Sequence, residues 1–181
     1  MTDLGTLNYF LGLEVKQNED GIFVTQRKYV ENIFKPFGMQ SCKHAATPMN
    51  MNGKMQADDG TGKADVWVYR RLIGKLLYLT HTHPDISYAV GILSRFMSNP
   101  TKQYLGAGKR LLRYLCGTKN LGLWYSRSME CRLQGYSDSD WGGCTDDRKS
   151  TSGMIFNLGT EDVSWGKTSQ LYRQRRQNMW Q

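Results

Sequence analysis

The sequence predicts an α+β fold, with a hairpin and a helix first, amphipathic helices in the middle and short strands at the end. Three observations support this class. Residues with strand character lie on either side of a polar turn that ends in Asp20-Gly21, and this combination favours a hairpin. Apolar residues recur at helical spacing through the middle of the chain. Short runs with strand character, separated by turn residues, follow from Leu121 onward.

The first elements are a strand pair and a helix. Residues 9–15 and 22–25 have strand character, and the polar turn between them ends in Asp20-Gly21. Residues 27–37 have helical spacing, and Gly38 stands in the C-terminal capping position. Pro36 weakens the last turn of this helix, because proline has no backbone N–H. The predicted buried residues are Tyr29, Val30, Ile33, Phe34 and Phe37.

Three amphipathic helices are predicted after a segment rich in Gly, Asn and Asp, residues 50–63, which we expect to be a mobile loop. The helices cover residues 66–80, 84–97 and 101–116. Asn99-Pro100 ends the second helix, and Gly117 caps the third. The residues predicted to be buried are Tyr69, Leu72, Ile73, Leu76 and Leu77, then Ile86, Ala89, Val90, Leu93, Phe96 and Met97, and finally Tyr104, Leu105, Gly108, Leu111, Leu112 and Leu115.

The C-terminal part contains four short strand candidates, residues 121–125, 132–138, 151–158 and 162–165. Turn residues separate them, which is typical of antiparallel connections. The last three can form a meander. Their alternation is too mixed to decide which face is buried.

The composition favours a polyanionic partner such as nucleic acid, since 24 Lys and Arg residues face 16 Asp and Glu residues. The length of 181 residues allows one domain or two small ones. Residues 166–181 contain Lys167, Arg173, Arg175 and Arg176 but no acid, so they account for half of the net charge of +8. The rest of the chain is only mildly basic.

Targeting signals and paired cysteines are not evident in the sequence. No apolar run approaches the ~20 residues of a membrane span, and the N-terminus has an acid where a signal peptide has bases. We expect an intracellular protein with no membrane partner. Cys42, Cys116, Cys131 and Cys144 lack the spacing of a zinc site or a disulfide framework, so buried or idle thiols are expected.

Two helices present aligned basic residues. Lys102, Lys109 and Arg113 follow each other at intervals of seven and four, which places them along one side of the helix. Arg70, Arg71 and Lys75 form a similar group one helix earlier. Such stripes can contact a phosphate backbone without reading sequence, or can be an ordinary solvated surface. The residues alone leave both interpretations open.

The segment GYSDSDWGGCTDDRKSTSG, residues 135–153, places Asp138 and Asp140 at the end of a strand. Carboxylates in this position suit a site that holds Mg²⁺ and attacks phosphodiesters. Two-metal hydrolysis needs about three or four convergent acids, and no Asp or Glu follows Asp162. Alternatively, the two carboxylates hydrogen-bond the charged loop that follows them.

Several long motifs occur in order: MTDLGTLNYFLGLEV, GIFVTQRKYVENIFKPFGM, YRRLIGKLLYLTHTHPDISYAVGILSRFMSNP, AGKRLLRYLCGTKNLGLWYS and GYSDSDWGG. Over residues 1–165 the chain resembles the Pol polyproteins of Ty1/copia-type retrotransposons. The resemblance implies a palm edge and the start of a thumb in residues 1–49, with a primer-grip-like hairpin at Phe10, Leu11 and Gly12. It implies thumb and connection helices in residues 64–130.

For residues 131–165 the resemblance implies a truncated ribonuclease H-like domain with an incomplete antiparallel meander. Asp138 corresponds to the first metal-binding acid of that family, which uses Mg²⁺ when intact; Asp140 is a weaker candidate. The Tyr-Xaa-Asp-Asp polymerase hairpin is not in the sequence, and SQLYRQRRQNMWQ stands where the family has Ser-Ser-Thr-Glu-Ala-Glu-Tyr. We therefore expect a truncated fragment that is inactive in both chemistries and needs no cofactor.

The partners expected from this resemblance are an RNA:DNA hybrid or other nucleic acid, bound weakly and with steep salt dependence. Pairing with longer retroelement products could also complete a ribonuclease H site in trans. A different alternative is a domesticated binding or interaction protein. Arg110-Leu111-Leu112-Arg113 spells the RxLR pattern of secreted oomycete effectors, but it lies within a predicted helix and no signal peptide precedes it, which indicates a coincidence.

Residues 166–181 are predicted to be a frame-shifted basic tail. Reading across codon boundaries from Gln170 to Gln181 permits Ala-Leu-Ser-Ser-Thr-Glu-Ala-Glu-Tyr-Val-Ala. The junction of Met179 and Trp180 permits only Val, and the junction of Trp180 and Gln181 permits only Ala. A tail selected for binding nucleic acid is the alternative.

Overall fold

The computed structural model describes residues 5–50, 59–127, 132–139, 150–159 and 161–170. Helices and antiparallel sheets both occur in these ranges, which confirms the predicted mixture of α and β structure. The elements are β1 (Tyr9–Phe10), β2 (Leu13–Gln17), β3 (Gly21–Thr25), α1 (Arg27–Phe34), α2 (Val66–Leu79), α3 (Ser87–Ser94), α4 (Lys102–Thr118), β4 (Leu123–Ser126), β5 (Leu133–Ser139), β6 (Ser150–Leu158) and β7 (Glu161–Gln170). Short 3₁₀ turns, Lys35–Phe37 and Pro84–Ile86, follow α1 and precede α3.

The first predicted strand, residues 9–15, is wrong as a single element. Leu11 and Gly12 have φ angles of 47° and 81°, so the chain reverses there and Phe10 pairs with Leu13. Two consecutive residues with positive φ match the right-handed twist of a tight hairpin. The alternation pattern hid this turn, because leucine rarely adopts the left-handed conformation.

The N-terminal sheet has the order β1-β2-β3-β4, with antiparallel neighbours. The strand predicted at residues 121–125 is present as β4, and it pairs with β3, so that Leu123 lies opposite Val24. The Thr25 hydroxyl strengthens this junction by donating to the Leu121 carbonyl oxygen at 3.0 Å. The end of the helical region is therefore fastened to the N-terminal hairpin.

One apolar core joins all four helices within the described ranges. It contains Val30, Ile33 and Phe34 of α1, Tyr69, Leu72, Ile73, Leu76 and Leu79 of α2, Ala89, Val90 and Leu93 of α3 with the preceding Ile86, and Tyr104, Leu111, Leu112 and Leu115 of α4. Most of the predicted buried residues are thereby confirmed. Leu77 is wrong, because it is 41% exposed and Leu79 is buried instead. Leu77 lies two turns after Arg70, on the charged side of α2.

The ends of the helices differ from the predictions in three places. Regular helix stops at Phe34 before Pro36, and Gly38 caps the following 3₁₀ turn with φ 63°, as predicted. α3 ends at Ser94, before the predicted Met97. α4 runs through Gly117 to Thr118, so Gly117 as a C-cap is wrong. A Cβ at position 117 would lie 3.3 Å from the Cβ of His44, so the glycine makes room for a packed neighbour.

The second sheet has the order β5-β6-β7 with antiparallel pairing, and a bulge lies between Phe156 and Asn157. Among the described residues, hydrogen bonds from Trp165 and to Asp162 attach it to the rest of the protein. The Trp165 Nε1–H donates to the Thr80 carbonyl at 2.8 Å, and the Tyr125 hydroxyl donates to the Asp162 carbonyl at 2.9 Å. That this sheet begins a ribonuclease H fold stays a prediction.

Two predicted segments fall partly outside the described residues. Of the loop predicted at residues 50–63, residues 51–58 are not described, whereas residues 59–63 lie against the start of α4. There the Lys102 N–H donates to the Gly62 carbonyl at 2.9 Å. Residues 171–181 of the predicted frame-shifted tail also lie outside the description, and β7 includes residues 166–170.

Candidate nucleic-acid interface

The exposed side of α4 is basic. Lys102 and Lys109 are exposed, and Arg113 is half-buried. The buried leucines of α4 occupy the opposite side, which fixes the direction of these cations. Arg113 also has a structural role, because its Nε–H donates to the Lys43 carbonyl at 2.9 Å. The two lysines are therefore the groups on this face that are most available to a ligand.

Positive charge is concentrated around α4 over a longer stretch than the two basic stripes indicate. Residues 86–129 contain no Asp or Glu, but they contain Arg95, Lys102, Lys109, Arg110, Arg113, Lys119 and Arg127. In the described part of the chain, the ion pairs involve Arg27 with Glu31 and His83 with Asp85, and no cation of α4. This stretch is evident from the sequence when Asp and Glu residues are counted in successive segments and not over the whole chain.

The basic residues of α2 divide between two neighbours. The Arg71 guanidinium lies 5.6 Å from the centre of the Phe37 ring, and the Lys75 ammonium lies 5.6 Å from that of Tyr29. Arg70 points elsewhere, and its Nε–H donates to the Met97 carbonyl at 2.9 Å. Cations above ring faces are attracted by the negative face of the π system. Lys75 is thus held toward α1, Arg71 toward the 3₁₀ turn after α1, and Arg70 toward the segment that follows α3.

The turn predicted as primer-grip-like, Phe10, Leu11 and Gly12, projects from the N-terminal sheet. Leu11 is 76% exposed and Phe10 is also exposed. The Tyr78 hydroxyl of α2 donates a hydrogen bond to the Leu11 carbonyl oxygen. A Cβ at position 12 would overlap that hydroxyl group, so the close approach requires glycine. The structure therefore brings this turn next to Tyr78 and to the Lys75 side of α2.

Trp67 is an exposed aromatic residue that was not among the residues selected from the sequence. Its side chain is 86% exposed in the first turn of α2, where the Asp65 carboxylate caps the helix by accepting from the Trp67 and Val68 N–H groups. Trp67 precedes Arg71 by one helical turn, which places both on one side. A helical projection would have found it, because Trp67 falls opposite the stripe of Leu72 and Leu76.

A polar cluster lies beneath α4, where Asp85 accepts a hydrogen bond from the Tyr114 hydroxyl at 2.7 Å. The buried His83 places its Nδ1 3.6 Å from the Asp85 carboxylate, just beyond hydrogen-bond reach. Burial alone would raise the pKa of Asp85, but the polar groups of His83 and Tyr114 outweigh burial and lower it. Burial, with Asp85 as acceptor, raises the pKa of Tyr114 to about 12. This cluster joins the α2–α3 connection to α4.

The predicted catalytic acids are only partly described. Asp138 is exposed near the end of β5, opposite Gly153 of β6, and Asp140 lies outside the described residues. Within the described ranges, no group of three or more His, Cys, Asp or Glu side chains could hold a metal ion. Mg²⁺ prefers an octahedral set of oxygen ligands, which the Asp138 carboxylate by itself does not supply.

The RxLR pattern lies in the middle of α4. Leu111 and Leu112 are fully buried, and the Arg110 Nη2–H donates to the Thr47 hydroxyl at 2.8 Å. With the Arg113 contact to Lys43, the two arginines hold residues 43–47 against the helix. In this fold the four residues serve packing.

Comparison with known proteins shows where the chain belongs. It is 43% identical, over 91% of its length, to the retrovirus-related Pol polyprotein from transposon RE1 of Arabidopsis thaliana, of which it covers 11%. It is 41% identical, over 94% of its length, to an uncharacterised mitochondrial protein of the same plant, of which it covers 70%. The chain belongs to the family of Ty1/copia-type retrotransposon Pol proteins, and it spans about a tenth of the Pol polyproteins that it matches.

A third relative has a different name. The chain is 44% identical, over 56% of its length, to the secreted RxLR effector protein 161 of Plasmopara viticola, of which it covers 72%. No family model and no solved structure matches the chain. None of the helices in the described ranges is long and apolar enough to cross a membrane.

Proposed function

We propose that the chain is a Pol-derived segment, made of the end of a reverse transcriptase, its connection and the first strands of ribonuclease H, which contacts nucleic acid through phosphates without catalysis. The observation that carries this proposal is the acid-free basic stretch of residues 86–129, with Lys102 and Lys109 exposed on α4. Such a stretch attracts polyanions and binds them by releasing counterions.

The spacing of the two lysines fits a phosphate backbone. Seven residues of α-helix span about 10 Å, and phosphates of one strand advance along the duplex axis by ~3.4 Å per step. Lys102 and Lys109 can therefore contact different phosphates of the same nucleic acid. Both side chains end in an ammonium group, and phosphates are the same whatever the base. We therefore expect binding without sequence preference.

Trp67 and Phe10 are exposed aromatic residues outside the α4 face that can add contacts to nucleic acid. Trp67 stands one turn before Arg71, and Phe10 with Leu11 forms the projecting turn that Tyr78 holds. Aromatic rings next to cations can stack on unpaired bases at an end or a single-stranded region. Through its resemblance to the primer grip, the turn at Phe10, Leu11 and Gly12 is proposed to contact the end of a duplex.

The proposed lack of catalysis rests on charge. One carboxylate cannot offset the charge of two divalent ions, for which about three or four acids are needed, and the described residues bring no group of three or more His, Cys, Asp or Glu side chains together for a metal ion. Asp138 is then a remnant of a metal ligand.

Titration of a fluorescently labelled RNA:DNA hybrid with the full chain, at several salt concentrations, tests the binding. The logarithm of the affinity should fall linearly with the logarithm of the salt concentration. Absence of binding at low salt, or an affinity that salt leaves unchanged, would contradict the proposal.

A secreted interaction protein is the second candidate, because the name of the Plasmopara viticola relative indicates that role for that protein. Burial of Leu111 and Leu112 opposes recognition of the RxLR pattern in the folded chain, since a receptor would have to unfold α4 to reach them. Detection of the intact chain outside the cells that produce it would favour this candidate. Retention inside them would favour the Pol-derived role.

A further inference from the structure

The segment of residues 42–47 runs along the C-terminal half of α4 and is fastened there by three hydrogen bonds. The Ala45 N–H donates to the Arg113 carbonyl at 3.1 Å. The Arg113 and Arg110 side chains donate to the Lys43 carbonyl at 2.9 Å and to the Thr47 hydroxyl at 2.8 Å. Backbone and side-chain contacts on both sides thus fix the position of this segment on the helix.

Two cysteines meet at the start of this contact. The Cys116 thiol lies 3.5 Å from the carbonyl oxygen of Cys42, and both residues are free and only half-buried. Burial, followed by the proximity of the Cys116 thiol, raises the pKa of Cys42. Beside them, His44 packs into the space left by Gly117. Buried or idle thiols were expected from the sequence because the four cysteines lack the spacing of a zinc site or a disulfide framework.

We propose that Cys42 and Cys116 are a redox modification site, at which a reversible intramolecular disulfide clamps residues 42–47 onto α4. The three hydrogen bonds hold the segment on the helix before any oxidation, and the Cys116 Sγ already lies 3.5 Å from the Cys42 carbonyl oxygen, so the two cysteines are neighbours in the reduced protein. Disulfides require Cα atoms within about 7 Å of each other, and the proposal requires that Cys42 and Cys116 reach this separation. Half-exposure leaves the thiols accessible to a small oxidant.

The chemistry balances with a low-molecular-weight disulfide, such as oxidised glutathione, as the oxidant. The thiolate of one cysteine attacks a glutathione sulfur, the glutathione S–S bond breaks, and the first glutathione leaves as a thiolate that takes up a proton. The second cysteine, as its thiolate, attacks the protein sulfur of the mixed disulfide and displaces the second glutathione. Two protein thiols are oxidised, and one glutathione disulfide is reduced to two thiols.

The test uses the full chain with Cys131→Ser and Cys144→Ser, because those two cysteines lie outside the described residues. The folded protein is equilibrated in glutathione buffers of different ratios, alkylated, digested and mapped by mass spectrometry. We expect a peptide cross-linked through Cys42 and Cys116. In the folded protein this cross-link should form in buffers whose ratio of reduced to oxidised glutathione is at least about tenfold more reducing than the buffers in which it forms in the urea-unfolded chain. The unsubstituted chain, mapped in the same way, should give the same cross-link.

Three outcomes would overturn the proposal: complete alkylation of both thiols in the folded protein, glutathione adducts that persist without the cross-link, or cross-links only between two chains. Cys116→Ser, added to the same background, is the matched control and should leave Cys42 alkylated or glutathionylated. Circular dichroism verifies that each variant is folded. As an independent readout, oxidation should raise the thermal midpoint of the background protein and leave that of the control unchanged.

Discussion

The hydroxyl group of Tyr78 donates a hydrogen bond to the carbonyl oxygen of Leu11, and this contact joins the last turn of α2 to the hairpin turn between β1 and β2. The Tyr78 ring also packs edge to face against Tyr29 of α1, with the ring centres 4.8 Å apart. The projecting turn is therefore positioned by the helices, and the sheet alone does not determine where its exposed side chains lie.

Tyr78→Phe should lower the free energy of unfolding by about 0.5–1.5 kcal/mol, because the ring remains while the Leu11 carbonyl loses its partner. Urea denaturation measures this change. Tyr9→Phe is the matched control, since it removes a hydroxyl from an exposed tyrosine of the same hairpin, and it should change stability by less than about 0.5 kcal/mol. Equal losses of stability from the two variants would show that the Tyr78 contact contributes nothing specific.

Gly106 and Gly108 of α4 should respond to alanine with opposite signs. A Cβ at position 108 would lie 2.7 Å from the Leu72 Cδ2, and Leu72 is fully buried, so Gly108→Ala forces the core apart at a cost of about 1–3 kcal/mol. A Cβ at position 106 meets nothing within 4 Å. Gly106→Ala should therefore stabilise the protein by about 0.5–1 kcal/mol through helix propensity.

Thermal or urea unfolding of these two alanine variants checks the packing of α4 on α2 directly. The sequence neighbourhood and the chemical change are the same, so the difference between them isolates the contact with Leu72. A stabilising Gly108→Ala substitution would mean that α4 does not approach α2 as closely as described.

The contact between Asp85 and Tyr114 predicts a dependence of stability on acid pH. The pKa of Asp85 is lower in the folded state than in the unfolded state, so the unfolded state binds more protons as pH falls through this range. The stabilisation is fully present above the unfolded pKa of about 3.9, and it disappears as pH falls through the folded pKa. Tyr114→Phe should lower the free energy of unfolding by about 1 kcal/mol at neutral pH. The expected loss is this small because the Asp85 carboxylate is partly exposed and solvent screens its interactions.

Urea unfolding of Tyr114→Phe and of the unsubstituted chain, measured from pH 7 down to the acid limit of folding, gives the two curves. They should converge as pH falls. Between about pH 10, the usual value for tyrosine, and the raised Tyr114 pKa of about 12, the unsubstituted chain should lose stability that the variant does not lose. A difference that stays constant from neutral to acid pH would refute the assignment to Asp85.

Lys102→Glu combined with Lys109→Glu should weaken binding to an RNA:DNA hybrid and reduce the salt slope by about 0.7–0.9 for each phosphate that the protein no longer neutralises. Fluorescence anisotropy at several salt concentrations measures both quantities. Lys16→Glu with Lys35→Glu is the control, because it makes the same charge change at exposed positions away from α4. If the control pair has the same effect, binding depends on net charge and not on the α4 face.

The spacing of apolar residues predicted most of the helices and their buried faces. It does so because the apolar face of each helix packs against the same core. Leu77 and Leu79 show the limit of this rule. Both fit an apolar pattern, and the direction of the neighbouring helices decides which is buried. Leu11 escaped prediction for another reason, since leucine rarely adopts the positive φ that it has in this turn.

Non-local contacts were outside the reach of the sequence. The pairing of β4 with β3 joins residues about 100 positions apart, and nothing in either strand specifies that partner. For the candidate site, the alignment of Lys102 with Lys109 follows from spacing. The separation of Arg70 from Arg71 and Lys75 depends on Met97, Phe37 and Tyr29, which come from other elements.

Binding without catalysis is tested most directly by incubating the purified full chain with an RNA:DNA hybrid and Mg²⁺ at low salt, with Asp138→Asn as the matched variant. We predict that both proteins bind the hybrid and that neither degrades the RNA strand. Degradation by the unsubstituted chain that Asp138→Asn abolishes would refute this prediction, because Asp138 would then belong to a working metal site.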